Sequence, residues 1–327
     1  MKHFSFVDGM KKVPGGMMII PLLLGSLVKT FFPGVLGIGS FTTGLFRDGA
    51  TALIALLIVA TGAQINIKQS GRVLGKTGAL LLAKTLVPGL LMILYGFIFG
   101  KQGILGISLL AAMIAFINSN GGLWLAIAGQ YGTEEDKGAY ISSGLNDGPF
   151  FTLLFLGLSG LALIPWIYIV AAIIPFLVGI LLGNLDQKFA NMMKPTGDIV
   201  IPFFSFALGA GINLTSLAKG GLSGILLGLC VAFITGFFGV LAYKIFFKTD
   251  NPGMGFAIGT TAGNSIATVG VVVLADASFG QFSGVATAQV AASVLVTALV
   301  VPFMTQYLVS KFRKAPKEPV SVDPGTA

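Results

Sequence analysis

The sequence predicts an all-α integral membrane protein of ten transmembrane helices, folded as two inverted five-helix repeats. Three observations carry this expectation: a composition too apolar for a soluble domain, a steep sidedness of basic residues, and a set of motifs that recurs once along the chain.

Of the 327 residues, 55% are hydrophobic and only 10% charged, and the mean hydropathy is +0.92. A soluble domain of this length needs more charge to cover its surface, so the chain belongs in a bilayer. Its 46 glycines suit close helix packing in lipid. The single cysteine, Cys230, excludes an intrachain disulfide and lies among apolar neighbours as a packing residue. The basic N-terminus leads into an apolar run too long for a signal-peptide core and without an Ala-x-Ala exit, so it reads as a retained first span.

Apolar runs place spans near residues 14–31, 49–65, 73–98, 104–130, 138–160, 165–183, 196–213, 220–244, 253–275 and 281–308. With the N-terminus inside, about 15 basic residues fall on the cytoplasmic side and about 3 outside. The inside set includes Lys2, Lys11, Lys12, Lys68, Arg72, Lys76, Lys311, Arg313, Lys314 and Lys317; the outside set is Arg47, Lys101 and Lys219. Topology therefore accounts for the net charge of +8 without a nucleic-acid partner.

The repeat is read from three pairs. Ile19–Gly25, IIPLLLG, returns as IIPFLVG at Ile173–Gly179; Ala60–Ile67, ATGAQINI, returns as ALGAGINL at Ala207–Leu214; Asn118-Ser119 returns as Asn264-Ser265. All three lie at nearly one offset, about half the ten-span region. Five spans per half is an odd number, so the second copy enters the membrane from the opposite side. The repeats are then residues 1–160 and 161–312, leaving 313–327 as a disordered cytoplasmic tail. Inverted repeats mark secondary transporters, whose sites lie near the bilayer midplane at broken helices.

Two segments fit such breaks. Asn118, Ser119, Asn120, Gly121 and Gly122 interrupt span 4, and Thr260–Thr268, TTAGNSIAT, interrupts span 9. Glycines and short polar residues weaken the helix there. The half-helix starting near Gly121 would aim free N–H groups and a positive dipole end at an anion. The alternative is an intact helix whose Asn and Ser hydrogen-bond its neighbours.

Charged groups inside the spans are few. Lys84 in span 3 reads either as the counter-ion of an anionic substrate or as half of an ion pair with Asp147. Asp147, the one carboxylate well inside a span, is a proton-coupling candidate, with Ser143 and Asn146 beside it. Gln289, Ser293 and Thr297 form a matching polar stripe in span 10. Glu134–Asp136 reads as a solvated turn, and His3, the only histidine, as part of a basic tail. With one terminal histidine no Ser–His pair can form, which argues against an intramembrane enzyme.

The stretches KKVPGGMMIIPLLLGSL, SNGGLWLAIAGQYGTEEDKGA, IPFLVGILLGNLD and IPFFSFALGAGINL resemble the 2-keto-3-deoxygluconate permease family, in order and over nearly all the chain before the tail. The resemblance implies a bacterial inner-membrane proton symporter importing 2-keto-3-deoxygluconate; the count of basic residues puts both termini on the cytoplasmic side. It also implies kinship with the bile-acid/sodium symporter fold, in which crossed broken helices 4 and 9 belong to a core that moves against a panel of helices 1, 2, 6 and 7. The chain departs from the family pattern in two places. Members carry an acidic residue just ahead of Asn-Gly-Gly, where this chain has Ile117 and Asn118, and a glutamate before Ser-Gly-Pro, where it reads Asn146-Asp147-Gly148-Pro149.

The expected substrate region is therefore Asn118, Ser119, Asn120, Gly121, Gly122, Asn264 and Ser265 with Lys84, and the expected coupling group is Asp147, Ser143, Asn146, Gln289 and Ser293. The expected partners are a sugar-acid anion, a proton or sodium, and the lipid bilayer, with no cofactor and no metal other than that sodium. The rival is a sodium-coupled or uniport carrier of another organic anion; a passive channel is also compatible with inverted repeats.

Overall fold

In the computed structural model, residues 5–11, 16–68, 71–211, 214–247 and 251–312 are described. The basic positions Lys2, Lys12, Arg313, Lys314 and Lys317, His3, and the expected tail at 313–327 lie outside them.

The described residues are helical almost throughout. In chain order the helices are α1 (Phe6–Lys11), α2 (Gly16–Phe31), α3 (Ser40–Phe46), α4 (Ala50–Ala63), α5 (Gly71–Leu81), α6 (Val87–Phe99), α7 (Leu109–Ile117), α8 (Gly121–Tyr131) and α9 (Glu134–Gly138). Then come α10 (Ile141–Asn146), α11 (Phe150–Leu158), α12 (Trp166–Leu185), α13 (Gln187–Met193), α14 (Thr196–Gly209), α15 (Leu214–Ala242), α16 (Ser265–Ala275) and α17 (Ser283–Phe312). A π-helical turn, Leu82–Leu86, joins α5 to α6, and a 3-10 segment, Pro252–Ile258, precedes the second break.

Among the described residues, five helical stretches are long and apolar enough to cross a membrane: Gly71–Phe99, Leu109–Tyr131, Trp166–Leu185, Gly220–Phe247 and Ala277–Phe312. A sixth is the pair α3 and α4, bent by 57°. Large apolar side chains on α6 and α12, such as Leu90, Leu94, Leu177 and Leu181, stand exposed, as a lipid-facing surface requires. The expected fifth and ninth spans are not continuous helices. The fifth is divided at Asp147–Pro149 between α10 and α11, and the ninth at 259–264. Gly148 has φ +94, a left-handed conformation that glycine alone takes without strain, and Pro149 cannot donate to the preceding turn.

Two helix pairs pack backbone to backbone through motif glycines. Gly25 of α2 and Gly209 of α14 leave no room for a Cβ against Phe206 and Leu22, and Gly62 of α4 and Gly179 of α12 leave none against Phe176 and Val59. Gly25 and Gly179 hold the same place in the IIPLLLG and IIPFLVG motifs; Gly62 and Gly209 hold the same place in ATGAQINI and ALGAGINL. The two contacts thus use one pair of motif positions twice, in the small-residue packing that membrane helices favour. The second set of helices, α5 to α8 with α15 to α17, packs around the two breaks.

Candidate functional site at the crossing of two broken helices

The first break begins where α7 stops. Asn118 is extended at φ −98, ψ 148, and Asn120 is extended at φ −83, ψ 102 before α8 restarts. The helix opens here because Ser119 N donates to Asn146 in place of the helical ladder and the Asn120 side chain takes a backbone N–H of the next helix. Asn120 caps α8, its Oδ1 accepting from Leu123 N at 3.0 Å. The N–H groups of Gly121 and Gly122 have no intrahelical acceptor. An added Cβ on Gly121 would lie 2.5 Å from the Tyr140 ring, so this turn approaches its neighbour as closely as glycine permits.

The polar stripe of the fifth span satisfies the first break. Asn146 Oδ1 accepts from Ser119 N at 3.1 Å, and the Ser119 hydroxyl stands 3.0 Å from both Asn146 Oδ1 and Ser143 Oγ. Asn146 Nδ2 donates to Thr85 Oγ1 at 3.1 Å, and Thr85 donates to the Ile117 carbonyl at 3.0 Å. The stripe of span 10 does the same for the second break. Thr261 N donates to Thr297 Oγ1 at 3.0 Å, and the Thr261 hydroxyl lies 2.7 Å from Ser293 Oγ. The breaks then touch: Asn120 N donates to Thr260 Oγ1 at 2.8 Å.

A cavity of about 320 Å³ opens beside this contact, within the range of small-molecule sites. Asn120, Gly121, Gly122, Tyr140, Asp147 and Asn264 line it on the side of the breaks, and Leu57, Thr61, Ile201 and Phe204 face them from α4 and α14. Asp147 and Asn264 line the cavity together, and the buried Oδ1 of Asp147 has no hydrogen-bond partner. The cavity therefore joins a glycine-rich helix N-terminus, which favours an anion, to one carboxyl group.

The remaining expected site residues lie elsewhere. Asn118, Ser119 and Ser265 are buried behind the cavity wall, as are Ser143, Asn146 and Ser293. Gln289 is at the far end of α7. Its Oε1 accepts from Ser108 N at 3.3 Å and Ser108 Oγ at 3.1 Å, and its Nε2 donates to Ser223 Oγ at 2.8 Å and to the Gly106 carbonyl. With its amide so engaged, Gln289 braces the start of α7 and stands apart from the coupling group in which the sequence pattern put it. Lys84 is fully buried and is not among the cavity's lining residues; Nζ donates to the Ala115 carbonyl at 3.3 Å and to Thr235 Oγ1 at 3.2 Å. The ion pair with Asp147 is not formed; no carboxylate lies within 4.0 Å of Lys84 among the described residues.

The solvated turn expected at Glu134–Asp136 also needs correction. Glu134 is exposed, but Asp136 is buried and accepts from Lys76 Nζ at 2.6 Å, the Tyr243 hydroxyl at 2.6 Å and Thr133 N at 2.7 Å. Thr133 and Asp136 form a capping box on α9, and the Asp136 carbonyl accepts from Trp124 Nε1 at 2.8 Å. The sequence marks this only through Thr133 followed three residues later by an acid. Sequence reasoning also missed Tyr140 and Thr61. Tyr140 lies three residues before Ser143 and seven before Asp147, a spacing that would put all three on one face of an unbroken helix, although α10 ends at Asn146.

Exposed apolar helices around an internal polar crossing define a multi-pass membrane protein, with the cavity at the crossing as its candidate site. A sequence model of the 2-keto-3-deoxygluconate permease family matches residues 7–314, and the chain belongs to that family, which is one of permeases and not of enzymes. Among its relatives are 2-keto-3-deoxygluconate permease 1 of Salmonella typhimurium, 43% identical over 301 residues, 92% of this chain and 94% of the relative. The 2-keto-3-deoxygluconate permease of Enterobacter sp. (strain 638) is 37% identical over 320 residues, 96% of each chain. That of Escherichia coli K12 is 38% identical over 301 residues, covering 90% and 91%.

Proposed function

We propose that this chain imports 2-keto-3-deoxygluconate by proton symport with alternating access, in a bacterial inner membrane with both termini cytoplasmic. The observation that carries this reading is the cavity at the crossing, where the N-terminus of α8 can receive the substrate carboxylate and Asp147 can exchange a proton. Asn120, Gly121, Gly122 and Asn264 bind the sugar acid; Asn118, Ser119 and Ser265 shape the breaks behind it. Asp147 is the coupling residue, supported by Ser143, Asn146 and Ser293.

Within this reading the chain is a ten-helix protein of two inverted repeats, residues 1–160 and 161–312. The paired motif glycines support it, because α2 meets α14 and α4 meets α12 through equivalent positions. Those four helices form the panel, and the helices around the crossing form the moving core. The test is uptake of labelled 2-keto-3-deoxygluconate into proteoliposomes under an imposed pH gradient, with sodium and with choline. Accumulation driven by the pH gradient alone is expected; accumulation that needs sodium would refute proton symport.

One observation favours the rival reading of a sodium-coupled carrier of an organic anion. Asn118 is fully buried with neither amide atom hydrogen-bonded, and the buried hydroxyls of Ser265 and Thr268 are likewise without partners. Neutral oxygens of this kind are ligands for a hard cation, and the sodium arm of the same experiment decides between the two.

A further inference from the structure

Among the described residues Lys84 is the one lysine placed wholly inside the fold, and it does not line the cavity. Its two partners identify its task. The Thr235 hydroxyl donates to the Val231 carbonyl at 2.7 Å, so its oxygen can only accept from Lys84. The other partner, Ala115 O, is one of the last four carbonyls of α7, which have no intrahelical donor. The N–H that would have closed the ring on Ala115 belongs to Ser119, and it is turned to Asn146 instead.

The break therefore exposes the negative end of α7 in the middle of the fold, where water cannot answer it. Ala115 O receives one further hydrogen bond, a long one of 3.4 Å from Thr261, and Ile117 O receives Thr85. Both of these other donors are hydroxyls. The π-turn Leu82–Leu86 contains both Lys84 and Thr85, so one local distortion of the third span delivers both donors to the same helix end.

We propose that the Lys84 ammonium is a resident cation, bound to the C-terminus of α7 to hold the first break open, and that it positions the crossing without touching substrate. It is a positioning residue acting through Ala115 and the 118–120 segment. The inference rests on the crossing being the transport site, as proposed above, but its first test does not involve transport.

Lys84→Ala leaves both the space and the acceptors of the lost ammonium. In detergent, sodium chloride or ethylammonium chloride, compared with choline chloride, should raise its unfolding midpoint by about 3 °C more than that of the wild type. Lys84→Met fills the space without charge, so it should show no such response and should lose about tenfold in substrate exchange rate with KM unchanged. Lys84→Arg should behave as the wild type in both measurements. A Lys84→Ala protein no more cation-sensitive than the wild type overturns the proposal, and so does a Lys84→Met protein whose loss lies in KM, as a substrate contact would require. A Lys84→Met protein with wild-type exchange also overturns it, and remains decisive should Lys84→Ala fail to fold. If the wild type does not carry 2-keto-3-deoxygluconate, the proposed function fails while the cation response of Lys84→Ala still stands or falls alone.

Discussion

The backbone N–H of Asn120 donates to the Thr260 hydroxyl at 2.8 Å, joining residues 140 positions apart in the chain. Each belongs to a different broken helix; Ser143 and Asn146 support one break and Ser293 and Thr297 the other, and a longer bond of 3.4 Å from Thr261 to the Ala115 carbonyl also passes between the two helices. This bond is thus a direct polar link between two separately supported halves of the site.

Thr260→Val keeps the shape and removes the acceptor, leaving the Asn120 N–H unpaired at a cost of about 1–3 kcal/mol. If the crossing carries substrate, exchange of 2-keto-3-deoxygluconate in proteoliposomes should slow about tenfold, and Thr260→Ser should restore it. Equal rates for Val and Ser would show that the link has no part in transport.

Asp147→Asn tests the coupling role separately. The amide keeps the size and one acceptor oxygen but cannot release a proton. Counterflow of labelled substrate should persist within about threefold of wild type, while accumulation against a gradient should disappear. Undiminished accumulation would assign the proton to another group.

The breaks and the motif repeats were legible because their causes are local. Consecutive short polar residues and glycines in an apolar run weaken a helix wherever they occur, and the repeated glycines turned out to be the contact points of α2 with α14 and α4 with α12. What was not legible depended on partners distant in sequence. Gln289 matched the polar stripe by spacing, yet its place on α17, about one turn before Ser293, sets it against Ser108 at the start of α7 and away from the break. An ion pair with Asp147 was one of two readings of Lys84, the other being a counter-ion for substrate, because a lone charge in lipid demands a partner; in the structure Lys84 donates to the end of a helix. Asp136 resembled its exposed neighbour Glu134 in composition, and only the fold brings Lys76 and Tyr243 onto it.

The glycine contacts predict opposite effects of one substitution. Gly209→Ala drives a methyl into the Leu22 backbone, which cannot yield as a flexible side chain would. Overpacking of this kind costs about 1–3 kcal/mol, so the unfolding midpoint in detergent should fall by several degrees. Gly129 in α8 has nothing within 4 Å of an added Cβ. Gly129→Ala should be neutral or stabilising by up to about 1 kcal/mol. A stabilised Gly209→Ala protein would mean that α2 and α14 do not pack as described.

Asp136 gives the fold a pH dependence with a definite sign. Burial alone raises the pKa of its carboxyl, but the Lys76 ammonium, the Thr133 N–H and the Tyr243 hydroxyl together hold it below its ordinary value of 3.8. A carboxyl whose pKa falls on folding adds stability above its unfolded value and loses it as the pH drops through the folded one. Its contribution should therefore be constant from neutral pH down to about pH 4 and decline below that. Asp136→Asn takes the ion-pair partner from the half-buried Lys76 ammonium, at a cost of about 1–3 kcal/mol near neutrality. Thermal unfolding followed by tryptophan fluorescence should show the largest gap between variant and wild type at pH 7, narrowing at pH 3 as the wild-type carboxylate is itself protonated. A gap that stays constant across that range would show that the bonds to Asp136 do not depend on its charge.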